Sequence, residues 1–193
     1  MKEESSEPGM VYRLKVTLKG SRPPIWRRLE VPGDITLAKL HKILQIAMGW
    51  TDTHLHSFKI GETHYEEPDP DIDPEFSPYD KKNEKKFKLQ EVAGREKMKF
   101  LYEYDFGDGW EHEILVEKIL PMTDETRHPV CLKGAKACPP EDIGGIWGYY
   151  KFLEIMQNPE HPEHENMMEW VGGHFDPDEF DLDEINKLLK KIK

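Results

Sequence analysis

The sequence predicts an α+β fold: a mixed sheet with a grasp-like ββαββ core, a long hairpin on the C-terminal side and a helical C-terminal extension. Two observations predict this class. Before residue 66, short segments alternate apolar with polar residues around a single helical stripe, which is typical of strands with one buried face. From about residue 145, apolar residues recur at helical spacing instead. A length of 193 residues suits one domain, so we expect a flexible tail at 1–10 and a single domain at 11–193.

The first two strands are predicted from apolar residues that share one side of each segment. In the first strand these residues are Tyr12, Leu14, Val16 and Leu18. After Pro23 and Pro24 the second strand repeats the pattern with Ile25, Leu29 and Val31. The same alternation places Arg27 on the apolar face. A buried guanidinium needs compensating partners, so we expect Arg27 to have one inside the fold.

A helix is predicted between residues 36 and 49. Thr36 is a residue type that caps helix N-termini, Ile35 can pack onto Leu40, and Gly49 can end the helix. The apolar stripe of this helix consists of Leu37, Leu40, Leu44, Ala47 and Met48. A third strand then places His54, His56, Phe58 and Ile60 on one side. We expect that strand to pair with a short strand at 63–65.

The remaining segments are predicted as a loop, the long hairpin and the helical extension. Residues 66–80 are acidic and rich in proline, a composition that favours a loop over a helix. The sheet resumes in a hairpin at 98–120, and three helix-like segments form the extension at about 145–193. The last segment is amphipathic, with one apolar face formed by Leu182, Ile185, Leu188, Leu189 and Ile192.

The hairpin contains a Gly-Asp-Gly sequence that predicts a three-residue loop at 107–109. This loop pairs Phe106 with Trp110 and Tyr104 with His112, and so keeps the bulky residues on one face. For His112, a hydrogen-bonded and half-buried imidazole is favoured over a general base.

The other face of the predicted hairpin sets Asp105 against Glu111 and Glu103 against Glu113. Such like-charge pairs are unfavourable unless a cation lies between them. That cation can be Arg or Lys from adjacent strands, in a solvated charge ladder, or it can be a divalent ion or a basic ligand. The candidate ligand-binding residues are therefore Glu103, Asp105, Asp108, Trp110, Glu111, His112 and Glu113.

The C-terminal third offers an alternative metal site. Zinc takes four nitrogen or sulfur ligands, but the two cysteines lack the Cys-x2-Cys spacing that zinc motifs commonly show. The candidate ligands are Cys131, Cys138, His161, His164 and His174. Ordinary thiols in a tight turn and histidines near helix ends explain the same residues. Both interpretations stay open.

Three further histidines form another candidate group. His41 lies inside the apolar stripe of the predicted helix, while His54 and His56 share the face of Phe58. All three are therefore expected to point inward. Hydrogen bonding within the core is the usual role of such residues, and a shared functional cluster is the alternative.

The composition restricts the partners. With 38 acidic and 27 basic residues the net charge is −11, which repels a polyanion unless the basic residues are segregated. Specific nucleic-acid binding is therefore not expected. No apolar segment is long enough to cross a bilayer or to serve as a secretory signal, so we expect a cytoplasmic protein with no membrane partner.

Several motifs together resemble one protein family. They are PPIWRRLEVP, TLAKLHKILQIAMGW, HLHSF, YEYDFGDGWEHEI, CLKGAKACPPEDIGG and HFDPDEFD. From about Val11 to the C-terminus, the chain resembles the Ri-plasmid third-open-reading-frame-like family. That family has no assigned activity, and some members look like passengers of prokaryotic mobile elements and carry a resolvase-like label. The resemblance implies this association and no particular chemistry.

The resolvase label can be compared with the residues. A serine resolvase needs a nucleophilic serine among arginines that hold the scissile phosphate. Only Ser21 has arginines nearby in sequence, at positions 22, 27 and 28, and no basic recognition helix is evident. Resolvase activity is therefore not expected.

The sequence favours a non-catalytic binding or adaptor protein that engages a basic or cationic partner through the acidic hairpin face and exposed aromatic residues. The alternative is a metal-binding enzyme or regulator. It would hold a divalent metal through the cysteine and histidine set or through the hairpin carboxylates. The sequence does not specify an oligomeric state.

Overall fold

Eight strands form one mixed sheet in the computed structural model, which describes residues 9–68 and 80–192. The strands are β1 Met10–Leu18, β2 Trp26–Pro32, β3 His56–Ile60, β4 Thr63–Glu66, β5 Asp80–Asn83, β6 Lys99–Tyr104, β7 Trp110–Pro121 and β8 Val130–Ala135. Their order is β5-β4-β3-β6-β7-β1-β2-β8; β4 and β5 run parallel, and the other neighbours in the described chain are antiparallel. The predicted α+β class is confirmed. Most of the tail predicted at 1–10 and most of the loop predicted at 66–80 lie outside the described residues.

Five α-helices accompany the sheet in these residues: α1 Leu37–Met48, α2 Leu89–Val92, α3 Gly145–Gln157, α4 His164–Trp170 and α5 Leu182–Leu189. The hydroxyl of Thr36 accepts a hydrogen bond from the backbone N–H of Lys39, and Gly49 has a left-handed φ of 100°. Both predicted ends of α1 are therefore confirmed. Within the described ranges, no helix combines the length and apolarity needed to span a membrane.

The hairpin of β6 and β7 lies in the middle of the sheet. The pairs β1–β2 and β3–β4 form as predicted, but β3 pairs with β6 and β1 pairs with β7. The hairpin therefore separates the two predicted strand pairs. Its buried face lies against α1, where His41 and Gln45 contact the hydroxyl of Tyr102.

The hairpin register corrects the sequence analysis. Tyr104 lies opposite Trp110 and Tyr102 opposite His112, whereas the prediction placed Tyr104 opposite His112. The observed pairing is shifted by two residues. Because side chains alternate with a period of two along a strand, this shift leaves each side chain on its predicted face.

The shift arises because the chain reverses at Asp105. This residue has a left-handed φ of 56°, and its Oδ1 accepts hydrogen bonds from the N–H groups of Gly107 at 3.0 Å and Asp108 at 3.3 Å. Asp105 therefore belongs to the loop and not to the acidic strand face. Glu103 opposite Glu111 replaces the two predicted acidic pairs.

The last helix of the extension covers the edge strand β8. Asn186 of α5 accepts a hydrogen bond from the N–H of Cys131 at 2.8 Å and donates one to its carbonyl oxygen at 2.9 Å. Leu189 is fully buried, and Leu182 and Ile185 pack against the core. The apolar face predicted for this helix therefore contributes to the core.

Candidate functional site

A groove with a volume of about 1120 Å³ opens beside the N-terminal half of α1. Its walls come from α1, the segment before β3, the 3₁₀ turn that follows β5, and the hairpin loop. The lining residues include Lys39, His41, Lys42, Asp52, His56 and Glu84. Five of these residues lie between positions 39 and 56, whereas Glu84 is distant in sequence. The pairing of β3 with β4 and of β4 with β5, the strand that precedes Glu84, brings Glu84 to His56.

His41 connects the groove to the core through both nitrogens of its ring. Its Nε2 lies 2.6 Å from Oδ1 of Asp52, and its Nδ1 lies 2.8 Å from the hydroxyl of Tyr102. Gln45, one helical turn after His41, donates from its amide to the same hydroxyl at 2.9 Å. The amide oxygen of Gln45 accepts a hydrogen bond from the backbone N–H of Asp52.

These contacts determine the direction of each hydrogen bond. Because the hydroxyl oxygen of Tyr102 accepts a hydrogen bond from the amide of Gln45, its own O–H can donate to Nδ1 of His41. The Nε2–H of His41 then donates to Asp52. Burial, followed by the effect of the neighbouring His56, lowers the pKa of His41 despite the carboxylate of Asp52. The neutral imidazole fits this network.

His56 stacks on His41 and pairs with a buried carboxylate. The ring centroids are 3.4 Å apart and the ring planes differ by 2°. Nε2 of His56 lies 2.8 Å from Oε2 of Glu84, whose side chain is almost completely buried. Glu84 therefore restrains the orientation of the His56 ring.

His41, Asp52 and His56 form a group in which one potential metal-ligating atom of each residue lies within 4.8 Å of the other two. Glu84 is outside this group and contacts it through His56. Asp52 is the most accessible member, since 46% of its side chain is exposed. The group can therefore be reached from the groove.

A second group lies beside the hairpin loop. His54 Nε2 is 3.2 Å from Oδ1 of Asp142 and 3.7 Å from Oδ2 of Asp105. One potential ligand atom of each of these three residues lies within 4.8 Å of the other two. This group is more open to solvent than the first, because the side chain of Asp142 is 71% exposed.

Three of the candidate hairpin residues lie on the outer face of the sheet. Glu111 pairs with Lys19, and Glu113 pairs with Lys99 at 3.0 Å. Burial, and next the carboxylate of Glu111, raise the pKa of Glu103. A lysine directly after β1 and one on β6 thus supply most of the cations that this face was expected to need.

The other four candidate hairpin residues lie elsewhere. Trp110 and His112 are buried on the core side, while Asp105 caps the loop and Asp108 accepts a hydrogen bond from the N–H of Gly144. The seven residues therefore do not form one surface. His112 is fully buried and not half-buried as predicted, and burial lowers its pKa to about 4.

The cysteine and histidine set does not converge. The described part of the chain has two groups of three potential metal ligands, and both have been described above. Neither group includes Cys131, Cys138, His161, His164 or His174. Cys131 lies on β8, and burial raises the pKa of both thiols, that of Cys138 strongly. His161 accepts a hydrogen bond from a backbone N–H at the start of α4, and His174 is exposed. The interpretation as ordinary thiols and helix-end histidines agrees with this arrangement.

The sequence analysis identified the histidines of the groove but missed their partners. His41 and His56 meet, as the cluster alternative proposed, whereas His54 joins the second group. Asp52 and Glu84 were not considered. Glu84 carried a usable signal, because it is an isolated acid within the basic run at 81–88.

Comparisons with known proteins identify the family. The family model described as "Plasmid pRiA4b ORF-3-like protein" matches residues 10–184. The chain is similar to the uncharacterized protein y4hQ of Sinorhizobium fredii, with 39% identity over 183 residues that cover 94% of this chain and 92% of that protein. It is also similar to the crystal structure of MM3350, a protein of unknown function from Methanosarcina mazei Go1. The TM-score is 0.80 at 38% identity, and the match covers 91% of this chain and 97% of that one. The resemblance noted in the sequence is thus confirmed, and the chain belongs to the plasmid pRiA4b ORF-3-like family.

Proposed function

We propose that the protein binds a divalent transition-metal ion through His41, Asp52 and His56 in the groove beside α1. The observation that carries this proposal is the grouping of three potential ligand atoms within 4.8 Å of one another. Imidazole nitrogen and carboxylate oxygen suit zinc and several other first-row divalent ions. Three protein ligands leave coordination positions open to a ligand from the groove.

The residues around the three ligands support the proposal. Histidines that bind metals usually donate their other ring N–H to a carboxylate, a carbonyl or water, which orients the ring. Glu84 can serve His56 in this way, while Tyr102 and Gln45 hold His41 from the core side. Such partners limit the ways in which the two rings can turn.

Binding of an ion requires a local rearrangement. The lone pairs of two parallel imidazoles do not converge on one point, so His41 and His56 must tilt out of their stack. The 2.6 Å distance between His41 Nε2 and Asp52 Oδ1 is that of a hydrogen bond. An ion between these two atoms would displace the proton of Nε2. The neutral His41 ring would then carry its proton on Nδ1 and donate it to the hydroxyl oxygen of Tyr102, which reverses the direction of that hydrogen bond.

The acidic hairpin face supports a cationic partner less well. Glu111 and Glu113 have lysine partners, and Asp105 lies in the loop. The exposed aromatic side chains in the described residues, Phe106 at 48%, Trp147 at 83% and Trp170 at 47%, belong to three different elements. The groove is therefore the better-supported binding site.

Zinc titration of protein stripped with a chelator tests the proposal. We expect about one zinc ion per chain, and we expect Asp52→Asn to weaken binding by about tenfold or more, because the amide no longer supplies a charged ligand. Asp142→Asn in the second group is the matched control and should leave the zinc affinity unchanged. Circular dichroism verifies that both variants are folded.

Two results would contradict the site. One is a wild-type protein that takes up no zinc at micromolar concentrations. The other is stoichiometric zinc that depends on Asp142 and not on Asp52, which would assign the ion to the second group.

A further inference from the structure

We propose that the metal-loaded groove binds a dianionic oxyanion, a phosphate or a phosphate monoester, through the open positions of the ion and the ammonium groups of Lys39 and Lys42. This inference rests on the metal site proposed above and names the class of ligand that completes it.

Lys39 and Lys42 carry positive charges without an ion-pair partner among the described residues. Four lysines line the groove. Lys81 pairs with Glu66 and Lys85 pairs with Glu67, whereas Lys39 and Lys42 have no carboxylate partner within residues 9–68 and 80–192. Two uncompensated cations in one groove of an acidic chain favour an anionic ligand.

The two lysines are placed to act with the metal. They are three residues apart on α1, so they lie on the same side of the helix, and His41 lies between them in sequence. All three residues line the same groove. The volume of about 1120 Å³ accommodates a small anion together with the long and flexible lysine side chains.

The charges of the site decide between classes of anion. A divalent ion bound by Asp52 keeps one unit of positive charge, and Glu84 is committed to His56. Its bond to that neutral imidazole leaves the negative charge of Glu84 in place, so the groove with its two lysines presents a net charge of about +2 to its ligand. A phosphate group carries nearly two negative charges at neutral pH and offers several acceptor oxygens, whereas a simple carboxylate carries one charge. Phosphate is therefore favoured over acetate.

Equilibrium dialysis of radiolabelled inorganic phosphate against zinc-loaded protein, freed of excess metal, tests the inference. We expect saturable binding that is about tenfold weaker in metal-free protein and about tenfold weaker for acetate measured by competition. The double variant Lys39→Gln, Lys42→Gln should keep the zinc affinity of the wild type and lose about tenfold in phosphate affinity. A control with Lys59→Gln and Lys133→Gln, two exposed lysines outside the groove, removes the same charge and should retain phosphate binding.

The zinc titration is carried out first, so that two failures can be distinguished. If zinc binds and phosphate does not, the metal site stands and the oxyanion inference is overturned. It is also overturned if the control variant weakens phosphate binding as much as the groove variant, or if metal-free protein binds phosphate equally well. If zinc itself does not bind, the metal site is refuted and the inference fails with it.

Discussion

At the scale of single residues, Arg27 shows how a buried cation is accommodated without an acid. Its guanidinium donates to four carbonyl oxygens, those of Ala47 at 2.7 Å, Trp26 at 2.9 Å, Ala135 at 3.0 Å and Lys136 at 2.9 Å. Ala47 lies in the last turn of α1, where carbonyl groups carry partial negative charge. Arg27 therefore links α1, β2 and the end of β8.

We expect Arg27→Lys to destabilise the protein by about 3 kcal/mol, because one ammonium group cannot replace a planar guanidinium group that donates to four carbonyl oxygens. Urea unfolding measures the change. Arg28→Lys is the matched control on the same strand: Arg28 is partly exposed and pairs with Glu117, so about 1 kcal/mol or less should be lost. Equal losses in the two variants would contradict the role assigned to Arg27.

His112 makes stability depend on pH. Burial lowers its pKa from the usual 6.5 to about 4, so below pH 6.5 the unfolded chain binds a proton that the folded protein rejects. Stability from this group is present above pH 6.5 and is lost as the pH falls towards 4. The loss between about pH 7.5 and pH 5 is about 2 kcal/mol.

The variant His112→Phe removes this titration and keeps an aromatic ring against Trp50. We expect the free energy of unfolding to fall less steeply with decreasing pH in the variant than in the wild type. The difference between the two proteins should be about 2 kcal/mol between about pH 7.5 and pH 5. The difference between the two slopes isolates His112 from the other histidines. Parallel slopes would show that His112 has the same pKa in the folded and the unfolded protein, which would contradict the effect of burial.

The need of Arg27 for partners could be predicted, because the period of β2 places it on the apolar face. Its partners could not be predicted. Three of the four carbonyls belong to Ala47, Ala135 and Lys136, which are far from Arg27 in sequence, and main-chain acceptors leave no pattern of residue types.

At the scale of elements, α5 replaces a missing strand neighbour of β8. Asn186 satisfies the N–H and the carbonyl oxygen of Cys131, as an adjacent strand would.

We expect Asn186→Ala to cost about 1–2 kcal/mol through the two lost hydrogen bonds. It should also accelerate amide hydrogen exchange at Cys131. Lys187→Ala on the exposed side of the same helix is the control and should alter neither quantity.

The hairpin shows what local sequence can predict about an element. The alternation of bulky and charged residues correctly predicted the face of each side chain in β6 and β7. The register was wrong by two residues because Asp105 adopts a left-handed conformation and caps the loop with its own carboxylate. Aspartate tolerates this conformation more readily than most residues, but its occurrence at one position depends on the loop as a whole.

At the scale of the whole molecule, the fold class was predictable and the candidate site was only partly so. Strands and helices follow from periods of two and 3.6 residues, which are local properties of the chain. The groove combines α1, the segment with Asp52, the turn with Glu84 and the strand with Tyr102. The order of the strands in the sheet brings these four segments together, and that order cannot be read from the sequence. The cysteine and histidine hypothesis relied on nearness in sequence, and the fold does not bring those residues together.

The two outer strands of the sheet differ in how they resist pairing with another chain. β5 has four residues, and its side chains from Asp80 to Lys82 are exposed and charged, which discourages the addition of a strand. β8 carries fewer charges and depends on α5. If α5 detaches first on heating, or has not yet packed during synthesis, the unpaired edge of β8 becomes available to other copies of the chain. Aggregation of this protein should therefore begin at β8, and the detachment of one short helix would set its onset.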